Sequence, residues 1–226
     1  MELTYVDEQI QDLSLEVKEG DTLLLNFASF HDFHPTKIDI RVASNAHLNV
    51  AFADFGSGKG TMKVAIYLEG EGATCDWHLS SLSKGDSEKV FDVSLFHMVP
   101  HTEGTVANYG ITLDQSRLAF EGVSKIEHGA KSAKTRQEAK IIVFDPESDG
   151  RCSPILKIDD NDVAASHAAI VGRLSEEHLF YLESRGLPPK EAKRLITLGY
   201  LKPVLAFFKD EALKQRIDEA IEGGLR

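Results

Sequence analysis

His167 stands in a run of small side chains, Ala164-Ala165-Ser166-His167-Ala168-Ala169. A neutral imidazole ligates iron or zinc, and small neighbours leave room for a ligand or for another subunit. The bland reading is a histidine hydrogen-bonded in a turn. Cys152 lies beside a turn and close to His167 in sequence, which makes it the one plausible thiolate partner. The other cysteine, Cys75, shares a strand face with Trp77 and reads as core, where a thiol is inert. Two cysteines far apart are too few for a four-thiolate cluster within one chain.

Other histidines compete with His167. His31 and His34 flank Asp32 and Phe33 in a loop, and that spacing can ligate a divalent metal. Incidental histidines on a surface loop explain it as well. His97 and His101 bracket Pro100 at a strand end, where capping of the turn is the simpler account. Glu127-His128 sits in a basic segment with Lys125, Lys131, Lys134, Arg136 and Lys140 and reads as a solvated loop. There is no Gly-x-Ser-x-Gly elbow and no His-Glu-x-x-His. The glycines from Gly56 to Gly60 precede no Gly-Lys-Ser/Thr, so they form a β connection and not a phosphate loop. No complete catalytic set is present.

The elements that position these residues alternate with period two. Residues 1–20 read as strand up to the Gly20-Asp21 turn, and Thr22 to Phe27 is apolar on both faces, as in a buried strand. Ile38, Ile40 and Val42, then Leu48, Val50 and Phe52, then Met62 to Leu68 alternate with polar residues. Cys75, Trp77 and Leu79 share a face, and so do Phe91, Val93, Leu95 and His97. Leu118 to Val123 is a strand with an irregularity at Gly122. Ile141 to Phe144 and Ile155 to Ile158 are short apolar strands, and Asp159 to Asp162 is an acidic turn. The sum is about ten strands with no helix between them, which excludes a doubly wound α/β fold. A sandwich, a barrel and a wound solenoid all remain open on this pattern.

From Ser175 the period becomes helical. Ser175 is a good N-cap with Glu176 and Glu177 behind it, and Gly186 is a natural C′ residue. Pro188-Pro189 starts a second helix with an apolar stripe at Ala192, Leu195 and Ile196, and Gly199 is expected to stop it. Pro203 to Phe208 is a short apolar helix. Asp210 caps the last one, in which Leu213, Ile217, Ala220 and Ile221 share a face. These helices carry more apolar residues than a small free bundle buries, so part of them must pack on the β body or on a partner. The division is 1–172 for the β body and 173–226 for the helices.

The formal net charge is −11, which argues against nonspecific nucleic-acid binding while leaving room for a local basic patch. The first residues have neither a basic start nor an apolar core, so no signal peptide is expected. No apolar run is long enough to span a bilayer. The two isolated cysteines fit a reducing compartment, and a cytoplasmic location is expected.

The stretch from Ser153 to Gly186 resembles the carboxy-terminal signature of the SufB/SufD family, the scaffold subunits of Suf iron–sulfur cluster assembly, and is more similar to SufD. The residues that carry this are Pro154 with Leu156 and Ile158, Asp162-Val163, Ser166-His167, Val171-Gly172, Phe180-Tyr181-Leu182, Ser184-Arg185-Gly186 and Glu191-Ala192. Weaker similarity runs back through Gly110-Ile111, Asp114, Phe120-Glu121-Gly122 and Ile126 to about Cys75, and none is seen in the first seventy residues. The resemblance implies a right-handed parallel β-helix followed by a small α-helical region. It implies a scaffold and not an enzyme, with no intrinsic cofactor. It implies docking of a SufC-type ABC ATPase on the helices, and pairing with a SufB-type subunit or as a homodimer. A transient iron–sulfur cluster would form near the subunit interface. His167 aligns with a histidine of the SufD pattern, while Ala165 replaces a cysteine often found there. Two rival readings are a cupin-like metal-dependent barrel enzyme using His31, His34 and His97 or His101, and a structural adaptor that binds no cluster.

Overall fold

A computed structural model describes residues 1–9 and 12–224. The chain winds thirteen strands into a parallel β-helix of about six turns. One wall holds β1 (Glu2–Val6), β3 (Thr22–Ser29), β5 (His47–Asp54), β7 (Thr74–Ser83), β9 (Glu103–Thr112), β11 (Lys134–Val143) and β13 (Ala164–Arg173), in that order. The other holds β2 (Asp12–Val17), β4 (Lys37–Val42), β6 (Lys59–Leu68), β8 (Glu88–His97), β10 (Arg117–Ile126) and β12 (Asp149–Ile158). Every pairing between these strands is parallel and in register. The solenoid is therefore the right one of the three open architectures, and the closed barrel of a cupin is excluded.

In-register stacking turns each interior position into a row. On the first wall one row reads Leu25, Val50, Trp77, Val106, Gln137 and His167. On the second, Met62, Phe91, Phe120 and Cys152 line up. Aromatic rings fill the middle of the solenoid. Phe52 and Phe91 meet edge to face at 5.6 Å, and Phe27 lies 5.2 Å from Phe52. These contacts join both walls in one core. Trp77 is buried there, and its Nε1–H donates to Asn108 Oδ1 at 2.9 Å.

Gly122 is the irregularity expected from the sequence. Its φ is +144°, and a Cβ there would fall 1.9 Å from the Val93 carbonyl oxygen. The pairing with β8 skips at this point, from Glu121 opposite Asp92 to Ser124 opposite Leu95.

Strands outnumber the expectation. β9 and β13 were not read as strands, and the short apolar runs at Ile141 and Ile155 are the ends of ten-residue strands. In β9, Gly104 and Gly110 fill interior positions where a side chain would strike Leu95 or Leu118, so the apolar alternation is broken by packing necessity.

The helices fold back along the first wall. They are α1 (Glu176–Ser184), α2 (Pro189–Leu201), a 3-10 segment (Lys202–Phe207) and α3 (Glu211–Gly223). α1 ends in a Schellman motif, with Leu187 N–H donating to Leu182 O and Gly186 at φ +90°. Asp210 caps α3 by accepting from the amides of Ala212 and Leu213. Two expectations fail in α2. Gly199 lies inside the helix and does not stop it, because the chain continues into the Leu201 and Val204 anchors. Leu195 is exposed, since the buried face of α2 runs through Ala192, Thr197 and Leu201.

Leu201, Val204, Phe208, Leu213, Ile217 and Ile221 pack on Ala28, Ala51, Ala53, Phe55, Leu82 and Ile111 of the wall. The apolar surplus of the helices is met in large part by the β body. Small alanines on the outer face of the wall let the helices approach closely.

Candidate functional site

The solenoid's carboxy-terminal end is open. β12 and β13 are the last strands of their sheets, so each keeps one edge without a strand partner among the described residues. The interior turns polar on approach to this end. β10 and β11 supply Ser124, Thr135 and Gln137 to the lumen, all buried. Gln137 Nε2 reaches Gly122 O at 3.5 Å. The Gln137 Oε1, Thr135 Oγ1 and Ser124 Oγ atoms find no hydrogen-bond partner among the described residues. Buried polar atoms left so are costly and rare.

His167 and Cys152 are next along the two interior rows. His167 pairs in register with Gln137, and Cys152 with Phe120. The imidazole is exposed because β13 has no further coil above it. Cys152 is half-buried against the core, and its Sγ–H points to the Ile170 carbonyl of β13 at 3.9 Å. Burial pushes its thiol up to about 11. At neutral pH the group is a thiol, and a metal must displace its proton to bind. The two residues expected to act together thus share the last coil from opposite walls. No hydrogen bond joins them among the described residues.

The acidic turn between them is built by its own carboxylates. Asp160 accepts from the amides of Asp162 and Gly129, and these bonds hold its carboxyl below the usual range. Apolar side chains stand exposed beside the open edges. Ile155 is 47% exposed, Ile170 52% and Val171 43%. The sequence reads Ile155 to Ile158 as a short apolar strand. Nothing in the pattern marks Ile155 as uncovered, because that depends on the coil that would follow.

The other histidines disperse. His31 is exposed in its loop, and the buried neighbour Phe33 pins that loop. His97 is fully buried, with Nδ1 2.8 Å from Thr102 Oγ1, as capping of the turn required. Burial pushes it down to about 4. His101 sits at φ +58°, with Nε2 3.8 Å from Glu71. Among the described residues no three histidine, cysteine, aspartate or glutamate side chains gather as metal ligands. The cupin reading therefore fails on its site as well as on its fold. Cys75 is core, and burial raises its thiol beyond reach of ordinary pH.

A further feature lies on the helices. Phe180 is 72% exposed and Tyr181 57% exposed on α1, with Arg185 stacked over the Tyr181 ring. Sequence reading expected a docking surface on the helices without naming these two. No helix of the described residues is long and apolar enough to cross a membrane.

Comparison with known proteins converges on one group. Residues 22–200 match the family model described as SUF system FeS cluster assembly, SufBD core domain. The iron–sulfur cluster assembly protein SufD of Bacillus subtilis strain 168 is 36% identical over 155 residues, covering 69% of this chain and 36% of that protein. SufB of the same organism is 29% identical over 161 residues, covering 70% of this chain and 34% of SufB. A SufBD family protein of Staphylococcus epidermidis is 29% identical over 164 residues, 72% of this chain and 35% of its own. The chain spans about a third of the length of the curated relatives it matches.

Proposed function

Because the chain belongs to the SufB/SufD family of iron–sulfur cluster assembly proteins, we propose that it works as a SufD-like scaffold subunit whose open last coil pairs with a second β-helix. The observation that carries this is the coincidence at one end of the solenoid. Two unpaired edges, exposed Ile155, Ile170 and Val171, and the donors Cys152 and His167 all lie there. Exposed strand edges are templates for pairing with another chain, and natural proteins seldom leave them bare beside large apolar side chains. A partner's coil seated on β12 and β13 would cover the apolar groups and complete the polar layer of Gln137 and Thr135.

The chemistry fits a transient site. An imidazole and a thiol are two donors, and a cluster needs more. The remaining ligands come from the partner, a SufB-type subunit or a second copy. The cluster is cargo here, and the protein holds it without catalysing a reaction of its own. The raised thiol keeps Cys152 protonated until metal arrives, which suits loading followed by release.

The helical region docks a SufC-type ABC ATPase. Phe180 and Tyr181 on α1 and Leu195 on α2 are large apolar groups left outside the packing on the wall. The two free cysteines fit a cytoplasmic site of action. Co-expression with a SufB-type subunit and a SufC-type ATPase, followed by size-exclusion chromatography, tests the reading. A stable complex containing all three supports it. A protein that elutes alone, and forms no homodimer, removes it.

A further inference from the structure

A cleft of about 350 Å³ opens where the turns of the solenoid meet α2 and the end of α3. Its floor holds Leu113 and Phe144, both half-buried. Around it stand Lys84 from the β7–β8 turn and Lys190 and Lys193 from α2. This grouping is unusual for a chain of net charge −11, in which acidic partners are plentiful. On the same helices Arg194 is paired with Glu222 and Glu191, and Lys202 with Asp218 and Glu222. Lys84, Lys190 and Lys193 have no ion pair among the described residues.

Two carboxylates also reach the cleft, and both are engaged elsewhere. Asp114 Oδ2 accepts from the Gly85 amide at 2.8 Å, and Asp145 Oδ2 accepts from the Asp114 amide at 2.7 Å. They tie three successive turns together on the side of the cleft that carries Lys84, while Lys190 and Lys193 stand on α2. The back of the cleft is closed by α3. Gly224 leaves no space for a side chain, since a Cβ would lie 2.3 Å from Leu82 Cδ2.

We propose that this cleft binds a small phosphate monoester, with the phosphate among Lys84, Lys190 and Lys193 and the organic group over Leu113 and Phe144. Three ammonium groups give charge-assisted hydrogen bonds to the oxygens of a dianion. An apolar floor with a few convergent polar groups is the usual make-up of a small-molecule site, and the volume falls in the usual range. Nucleic acid suits it poorly, because the cleft is short and the rest of the surface is acidic. The site lies away from the open coil and does not depend on the scaffold reading.

Phenyl phosphate is the probe, with inorganic phosphate and phenol as its halves, measured by calorimetry on the full chain. The expected result is one saturable site, tighter for phenyl phosphate than for either half. Lys190→Gln with Lys193→Gln weakens it at least about tenfold. Lys84→Gln, on the opposite wall, weakens it independently, and Lys157→Gln on β12 leaves it unchanged. All four lysines are exposed or half-exposed, so the variants fold, which thermal melts confirm. Absence of saturation overturns the proposal, and so does unchanged affinity in the Lys190 and Lys193 variant. Equal affinity for phenyl phosphate and inorganic phosphate overturns the monoester assignment.

Discussion

Gln137 and His167 occupy the same register position on neighbouring parallel strands, one sealed in the lumen and the other exposed at its mouth. The difference between a buried amide and an available imidazole is the absence of one further coil. Gln137, paired in register with His167, keeps an acceptor without a partner among the described residues. A site completed by a partner needs such a layer, open on one side and anchored on the other.

The Cys152 thiol follows from its burial. With the group pushed up to about 11, alkylation by iodoacetamide is slow at pH 7.5 and accelerates steeply towards pH 11. Cys75 stays unmodified until the chain unfolds. Mass spectrometry of the alkylated native protein checks both. Rapid labelling of Cys152 at pH 7.5 would contradict the account.

His97 makes stability depend on pH. Its folded value is depressed to about 4 from an ordinary 6.5, so the unfolded chain takes up a proton that the folded chain refuses. The stabilisation is full above pH 6.5 and is lost as pH falls from there to about 4. It reaches about 3 kcal/mol at most. In urea titrations, the destabilisation caused by His97→Gln shrinks between pH 7 and pH 4.5. A gap that stays constant would mean that the ring takes up its proton equally in the folded and unfolded chain, and would contradict the depressed value.

Lys89 and Asp54 form an ion pair with both side chains fully buried, at 2.6 Å. Lys89 also donates to the Gly56 and Leu82 carbonyls, and Asp54 accepts from Ser81. Lys89→Met strands a buried carboxylate, and the expected cost is about 3–5 kcal/mol. Adding Asp54→Asn removes that charge and recovers a large share. Chemical denaturation of the single and double variants measures this, and equal losses in both would show that packing, not charge, dominates.

Phe180 and Tyr181 face solvent, so replacing both by Ser leaves unfolding free energy within about 0.5 kcal/mol of the parent. Under the docking proposed above, the same change abolishes capture of a SufC-type ATPase in a pull-down. Retained capture would move the docking surface elsewhere.

The β body was legible from alternation at Ile38, Leu48, Met62, Cys75 and Phe91, and the helices from Gly186, Pro189 and Asp210. The winding was not. Along the row from Leu25 through Val50, Trp77, Val106 and Gln137 to His167, no two successive spacings are equal. A period that drifts leaves no repeat to find, and parallel pairing between coils is non-local. β13 was hidden for another reason. Its interior positions hold Ala165, His167 and Ala169 where β3 and β5 hold Leu23, Leu25 and Phe27 and Leu48, Val50 and Phe52, because it closes no core of its own. His167 was noticed for its small neighbours. Its place in the interior row emerged only from the register.

The central claim is best tested by anaerobic reconstitution of the complex with His167→Ala, measuring iron, sulfide and visible absorbance against the parent. His167 is exposed, so its loss costs at most about 1 kcal/mol of stability and leaves partner binding intact. His97→Ala and Cys152→Ser run in parallel. The account predicts a sharp fall in cluster content for His167→Ala and Cys152→Ser, with ATPase docking unchanged. It predicts no specific fall for His97→Ala beyond lost stability. Normal cluster content in the His167→Ala complex would contradict the account and leave a structural adaptor that binds no cluster.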